Sequence, residues 1–216
     1  MKRTERKERE FDVKREEILA AAEKVFAANG FHGAAMSEIA SAAGFAVGSL
    51  YRFFPGKEEL YTAMVSEKLA GFYTALEESV RRSRTLHDKV EVLIRETFRF
   101  VDRNAKFCMM LMRREGLALP EGNRILQDRM VTEYQRQVSF IAGIFEEAIR
   151  AGVVKPCETR SVAIALKGII HGFVFDWMVT QGRPLERQVG AALDLFSRGI
   201  GTAPPTGDED KIRGNP

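Results

Sequence analysis

Residues 30–60 read GFHGAAMSEIASAAGFAVGSLYRFFPGKEEL, and no other stretch constrains the fold as tightly. Two short helical patterns flank Ala43-Gly44, and a third helix starts at Lys57. Ile39, Ala40 and Ala43 share one side of the first short helix. Ala40 and Ala43 are small, so a second helix can cross closely over them. Gly44 accepts the left-handed backbone conformation without a Cβ penalty and so ends that helix. Phe45 is placed to plug the corner. Leu50 and Phe54, four residues apart, pin the second helix to a core and leave Val47, Gly48, Ser49, Tyr51 and Arg52 facing outward. Pro55-Gly56 then breaks the chain. This is the plan of a helix-turn-helix, whose second helix enters a DNA major groove.

The outward residues suit that task chemically. Gly48 lets the helix backbone approach DNA with no side chain between. Ser49 and Tyr51 offer hydroxyl donors to phosphates. Val47 suits a thymine methyl, and Arg52 a guanine edge or a phosphate. Lys57 opens the next helix, where its ammonium and the first backbone N–H groups are both suited to a phosphate. Ser37 and Ala46, at the starts of the two short helices, complete the candidate DNA-facing set. Taken singly, Tyr51 reads better as an amphipathic rim residue and Arg52 as a solvated charge; within this pattern the DNA-facing reading overtakes the first and equals the second.

The ordered set Gly30-Phe31, Ile39-Ala40, Ala43-Gly44, Gly48-Ser49-Leu50-Tyr51, Phe54 and Lys57-Glu58 resembles the N-terminal signature of TetR-type transcriptional regulators. The resemblance is specific over residues 12–60 and architectural beyond. The chain also departs from the family pattern. Ala35 stands where the first helix usually has a Thr cap, and Ala46 where the recognition helix usually opens with Ser. Neither can accept an orphan N–H, at about 1 kcal/mol each. Phe53 replaces a Tyr or His that would reach a phosphate.

Net charge is +3, and its distribution says more than its sum. Residues 1–11 carry a balance of +2, residues 12–60 of −2 and residues 61–201 of +4. The candidate DNA-binding domain is therefore not globally basic, and its affinity must come from a few well-aimed contacts and helix N-termini. The basic arm at residues 1–11 reads either as a helper in DNA binding or as a solvated, frayed terminus. No apolar run approaches the roughly 20 residues that span a membrane, and MKRTERKERE has no apolar core for a secretory signal, so the expected location is cytoplasmic. Cys108 and Cys157 lack metal-ligand spacing, as do His32, His87 and His171. Buried free thiols are expected, with no metal and no cofactor.

The remaining periodicity predicts an all-α chain. Helices are expected at 12–28, with Asn29-Gly30 as the stop, and at 57 to about 83, with Leu60, Met64, Leu69, Phe72, Leu76 and Val80 inward. Others are expected at 88–103, 105–117, 121–151, 158–180 and 185–200. This divides the chain into a helix-turn-helix domain at 12–60, a larger helical domain at 61–201 and a disordered Pro/Gly-rich, charged tail at 202–216. In the 158–180 helix, Ser161, Ala165, Gly168 and Gly172 form a stripe of small residues that permits close helix approach, while Val162, Leu166, Ile169, Phe173 and Trp177 are apolar on other sides. A helix apolar on more than one face is buried on more than one face.

The resemblance implies further features. The helices at 158–180 and 185–200 are where TetR-like proteins form a four-helix dimer interface, here with Ala165, Gly168, Gly172, Val189, Leu193 and Phe196. An effector cavity is implied among the helices of the larger domain, with Phe98, Phe107, Met110, Phe140, Ile144, His171 and Phe175 as candidate lining for a largely apolar small molecule. The plain alternative for the Phe and Met residues is ordinary core, and for His171 a hydrogen-bonded core histidine. The implied function is a ligand-responsive regulator, most often a repressor in this family, binding a near-palindromic operator as a homodimer. No nucleophile–base pair, metal cluster or phosphate loop supports an enzyme. A helical protein-binding adaptor without operator binding is the rival, suggested by the missing caps and Phe53.

Overall fold

The computed structural model describes residues 3–112 and 124–201. Its regular structure is entirely helical over the described residues. The α-helices are α1 (Arg3–Gly33), α2 (Met36–Ala42), α3 (Val47–Phe53), α4 (Lys57–Arg82), α5 (Leu86–Arg103), α6 (Ala105–Met112), α7 (Arg124–Arg150), α8 (Thr159–Thr180) and α9 (Val189–Gly201). A 3-10 turn at Leu185–Gln188 precedes α9. The tail at 202–216 and the far end of the helix expected at 105–117 lie outside the described residues, as do positions 121–123 of the helix expected at 121–151.

Two expectations are corrected. The first helix begins at Arg3 rather than at residue 12, so from Arg3 onward the basic arm is the first turns of α1. The element expected at 185–200 is a 3-10 turn followed by α9. The reason for the second lies in tertiary structure. The carboxylate of Asp102 on α5 accepts the N–H groups of Leu185 (3.1 Å) and Glu186 (3.0 Å), which holds the chain in a tighter turn there.

Helix α1 buries Ile18, Ala22 and Phe26, each four residues apart, against α2 and α4. Gly30 then departs from helical geometry (φ 72°, ψ 174°) and turns Phe31 inward, where Phe26, Phe31 and Tyr61 pack ring against ring. Helix α2 ends as its sequence demands. Gly44 takes φ +75°, the Phe45 N–H reaches Ala40 O (2.8 Å), and the Gly44 N–H reaches Ser41 O (3.1 Å). These two bonds are a Schellman motif.

Helix α4 runs through the expected boundary at residue 60, since Leu60, Tyr61, Met64 and Val65 are buried near its start and Leu76 and Val80 near its end. It belongs to head and body at once. The body packs α4, α5, α7 and α8 together, with α9 against α5 and α8. Helix α6 returns to α1. At that junction Lys68 of α4 bonds Glu23 of α1 (2.5 Å) and lies over the ring of Phe107 of α6. Arg15 of α1 grips Glu67 of α4 with both guanidinium nitrogens (2.6 and 2.5 Å).

Candidate nucleic-acid interface and effector cavity

The head presents α3 as an outer helix. Leu50 is fully buried and Phe54 nearly so, which fixes the helix on the core. Val47, Gly48, Tyr51 and Arg52 are exposed and Ser49 is half-buried. Ser37 and Ala46 are exposed as well. Space around Gly48 is informative. A Cβ built there meets nothing within 4 Å, so nothing inside the chain requires glycine at this position.

The caps behave as the sequence suggests, with one compensation. Neither Ala35 nor Ala46 makes a side-chain cap bond. Glu38 nevertheless reaches back to the Ala35 N–H at 3.0 Å, so α2 keeps one half of a capping box. Phe53 has a packing role. It stacks on Phe11 of α1 at 4.5 Å between centroids and leans on Phe45. In sequence terms Phe53 is only a lost phosphate contact, and the stack is not legible there. No apolar period in residues 3–11 announces it, since Phe11 is the only apolar side chain there.

Lys57 is also engaged within the chain. Its ammonium donates to His32 O (3.3 Å) and Ala34 O (3.0 Å) and lies 4.8 Å from the centre of the Phe31 ring. Two of its three N–H donors thus go to carbonyls that α1 leaves open after Gly30.

In the body, α4, α5, α7 and α8 enclose a cavity of about 50 Å³. Leu76, Leu93, Phe140, Ile141 and Ile170 supply its apolar wall, and Tyr73, Glu77, Thr97, Gln137, Lys167 and His171 its polar one. Of the candidate effector residues, Phe140 and His171 line it. Four others are buried but do not line it. Phe98 is fully buried and packs on Phe173, Phe107 sits under Lys68, and Met110 and Ile144 are buried away from the cavity. Phe175 is corrected in the opposite sense, because it is 58% exposed on the outer face of α8. Phe and Met carry no polar mark that separates cavity wall from core. The residues missed, Lys167 and Gln137, were legible only as a charged and an amide position at helical spacing.

The cavity is electrostatically uneven. Burial pushes the Lys167 ammonium down to about 8, against a partial lift from Glu133. Burial also lowers His171, and the neighbouring Lys167 charge adds to it. His171 keeps one edge open to solvent, so it stands at the cavity mouth. Burial raises the Glu133 carboxyl, but hydrogen bonds from Arg136 and Gln137 outweigh it and hold the group below its ordinary range.

The outer face of α8 is a stripe. Ala165, Gly168 and Gly172 are exposed, and a Cβ at either glycine meets nothing within 4 Å. Ile164, Phe175 and Val179 are large, apolar and exposed beside them, and Leu195 of α9 is 57% exposed. Three expected interface residues are corrected. Val189, Leu193 and Phe196 are buried within the chain, with Phe196 against Phe145. Helical spacing identified a coherent face of α9, but that face turns to the chain's own core.

Comparison with known proteins agrees with this geometry. The family described as bacterial regulatory proteins, tetR family, matches residues 18–64. The fatty acid metabolism regulator protein of Bacillus subtilis (strain 168) is 26% identical over 186 residues, covering 85% of this chain and 94% of that protein. The crystal structure of the transcriptional regulator FadR from Bacillus subtilis, in complex with stearoyl-CoA, superposes with a TM-score of 0.74 at 27% identity, covering 85% of this chain and 98% of that one. AibR in complex with isovaleryl coenzyme A and operator DNA shares the fold, with a TM-score of 0.63 at 20% identity over 86% and 97% of the two chains.

Proposed function

From a head that belongs to the tetR family of bacterial regulatory proteins, we propose that this helix-turn-helix transcriptional regulator is a ligand-responsive repressor that binds a near-palindromic operator as a homodimer. The carrying observation is α3. Leu50 anchors it while Val47, Gly48, Tyr51 and Arg52 stand outward, with glycine at a position where the chain itself has room for a side chain. Such a helix reads base edges through Val47 and Arg52 and takes phosphates through Ser49 and Tyr51. Ser37 and Ala46 flank that surface. The working location is the cytoplasm, where a bacterial chromosome lies.

Dimerisation rests on the stripe of α8. Ile164, Gly168, Gly172, Phe175 and Val179 form a contiguous apolar, close-approach surface that a single chain leaves to solvent. A two-fold partner would cover it with the same residues, joined by Leu195. Two heads then engage half-sites about 34–36 Å apart. A small molecule in the α4–α5–α7–α8 cavity would alter how α4 carries its head, so that DNA and ligand compete through conformational populations. The names of the Bacillus subtilis matches in sequence and in structure point to fatty acid metabolism and an acyl-CoA ligand. On that basis the effector is an acyl thioester or a related organic acid. The adaptor reading loses ground, because Glu38 supplies part of the cap whose absence suggested it.

The test is a mobility shift of the purified chain on DNA upstream of its own gene, with sedimentation alongside. Dimeric, salt-sensitive, sequence-selective binding that an acyl compound relieves is the expected result. Binding that ignores sequence, or a monomer that binds equally well, contradicts it.

A further inference from the structure

The cavity holds a cation whose partners are incomplete. Lys167 enters from α8 and is nine-tenths buried. Its ammonium donates to Gln137 Oε1 at 2.6 Å and lies 5.2 Å from the centre of the Tyr134 ring. Gln137 is oriented from its other end, where its amide nitrogen donates to Glu133 Oε1 at 3.2 Å, which leaves its oxygen for Lys167. Glu133 is taken by Arg136 (2.7 Å), and Arg136 also bonds Glu77. Both carboxylates of this cluster are thus held by a guanidinium. Among the described residues none forms an ion pair with Lys167. An ammonium has three N–H donors, and the amide oxygen takes one.

We propose that the effector of this chain carries a carboxylate that pairs with Lys167 inside the cavity. The inference rests on the ligand-responsive reading above and adds the chemistry of the ligand's buried end. A buried charge is costly until it is paired and hydrogen-bonded. A carboxylate supplies both at once, through short charge-assisted bonds. A cavity of about 50 Å³ accepts a polar group of a few atoms. His171, on the same wall, can donate to its second oxygen, whereas the Thr97 hydroxyl already donates to Leu93 O at 2.7 Å. Leu76, Leu93, Phe140 and Ile141 receive the apolar carbons that follow. The methyl end of a saturated chain would instead press against an ammonium and deprive it of water. Two sources share the chemistry: a free organic acid, and an acyl thioester whose far end bears a second carboxylate.

Titration calorimetry on the full chain decides, with three probe series matched in carbon count. These are methyl-ended acyl-CoA thioesters, acyl-CoA thioesters ending in a carboxylate, and the free acids. The expected result is a preference of about tenfold or more for a carboxylate-bearing series over the methyl-ended one. Lys167→Met should abolish that preference and Lys167→Arg should retain part of it, with circular dichroism confirming the fold of each. Tightest binding by the free acids identifies the first source, and tightest binding by the carboxylate-ended thioesters the second. Equal or tighter binding of methyl-ended thioesters by the unaltered chain overturns the inference and leaves the acyl-ligand reading intact. No binding by any series overturns both. The comparison within the unaltered chain stands even if Lys167→Met fails to fold.

Discussion

At the residue scale, space and hydrogen-bond partners separate function from structure where sequence type does not. Gly48 and Lys57 both fit a DNA-contacting signature, yet only Gly48 lacks an internal reason for its identity. Gly48→Ala should therefore leave the melting temperature unchanged or raise it, since Ala exceeds Gly in helix propensity by roughly 1 kcal/mol. Operator affinity should fall in a mobility shift, because the added methyl stands where backbone meets DNA. Lys57→Ala should destabilise the head in a thermal melt by removing two carbonyl contacts and a ring contact, about 1–3 kcal/mol. Tyr51→Phe should leave stability intact and weaken operator binding; a loss of stability in Tyr51→Phe would place its hydroxyl inside the fold.

Lys167 gives a residue-scale prediction in pH. Its folded value of about 8 lies below the ordinary 10.5, so the unfolded chain binds more protons between those values. Stability should rise with pH across that window, and the cost of burying the ammonium is complete below it. The groups facing Lys167 are Glu133, Tyr134 and Gln137 from α7, Tyr73 and Glu77 from α4, and His171 on α8 itself. Lys167→Met should stabilise the ligand-free chain near neutral pH by at most ~3 kcal/mol, less the lost Gln137 bond. Urea melts should show that advantage shrinking between pH 8 and 10.5. A gap that is constant with pH would mean the lysine is solvated.

At the element scale, helix ends account for most local decisions. Gly44 ends α2 in a Schellman motif and Thr85 caps α5 by accepting the Asp88 N–H at 3.1 Å. Helix α3 starts with no cap bond at Ala46, and α2 has Glu38 alone at Ala35. Ala35→Thr should complete the reciprocal pair, because the backbone at residue 35 is already extended (φ −108°, ψ 143°). A gain of about 0.5–2 kcal/mol is expected in circular-dichroism melts. Destabilisation would show that the Glu38 contact excludes a second partner. The same scale explains Phe53, because a helix beginning at Arg3 brings Phe11 within stacking reach of α3.

At the scale of the whole molecule, α4 joins what the sequence divides. It carries the head core at its start and cavity residues Tyr73, Leu76 and Glu77 further along, and Lys68 and Glu67 tie it to α1. A change in the cavity and a change in head position are therefore changes in one rod. The outer stripe of α8 is the other whole-molecule feature. A Cβ at Gly168 meets nothing within 4 Å and the position is exposed, so Gly168→Leu should change monomer stability little. Overpacking at a close contact costs about 1–3 kcal/mol, and a two-fold axis doubles the insult. Sedimentation should show dissociation, and operator binding should collapse although α3 is untouched. A variant that stays dimeric with full affinity would move the interface off this face.

The sequence by itself determined the local features: a helix-turn-helix between Gly30 and Lys57, the αL turn at Gly44, the buried anchors Leu50 and Phe54, and the extents of α4, α5 and α8. Each is set by interactions within a few residues, where period, cap and turn chemistry act directly. Only the tertiary structure decided which apolar face meets which neighbour. It sent Val189, Leu193 and Phe196 into the chain's own core, left Phe175 outside, turned Lys57 onto the end of α1 and buried Lys167 beside Gln137. Those outcomes depend on residues 23 to 51 positions apart or more, for which a helical period records a face but no partner.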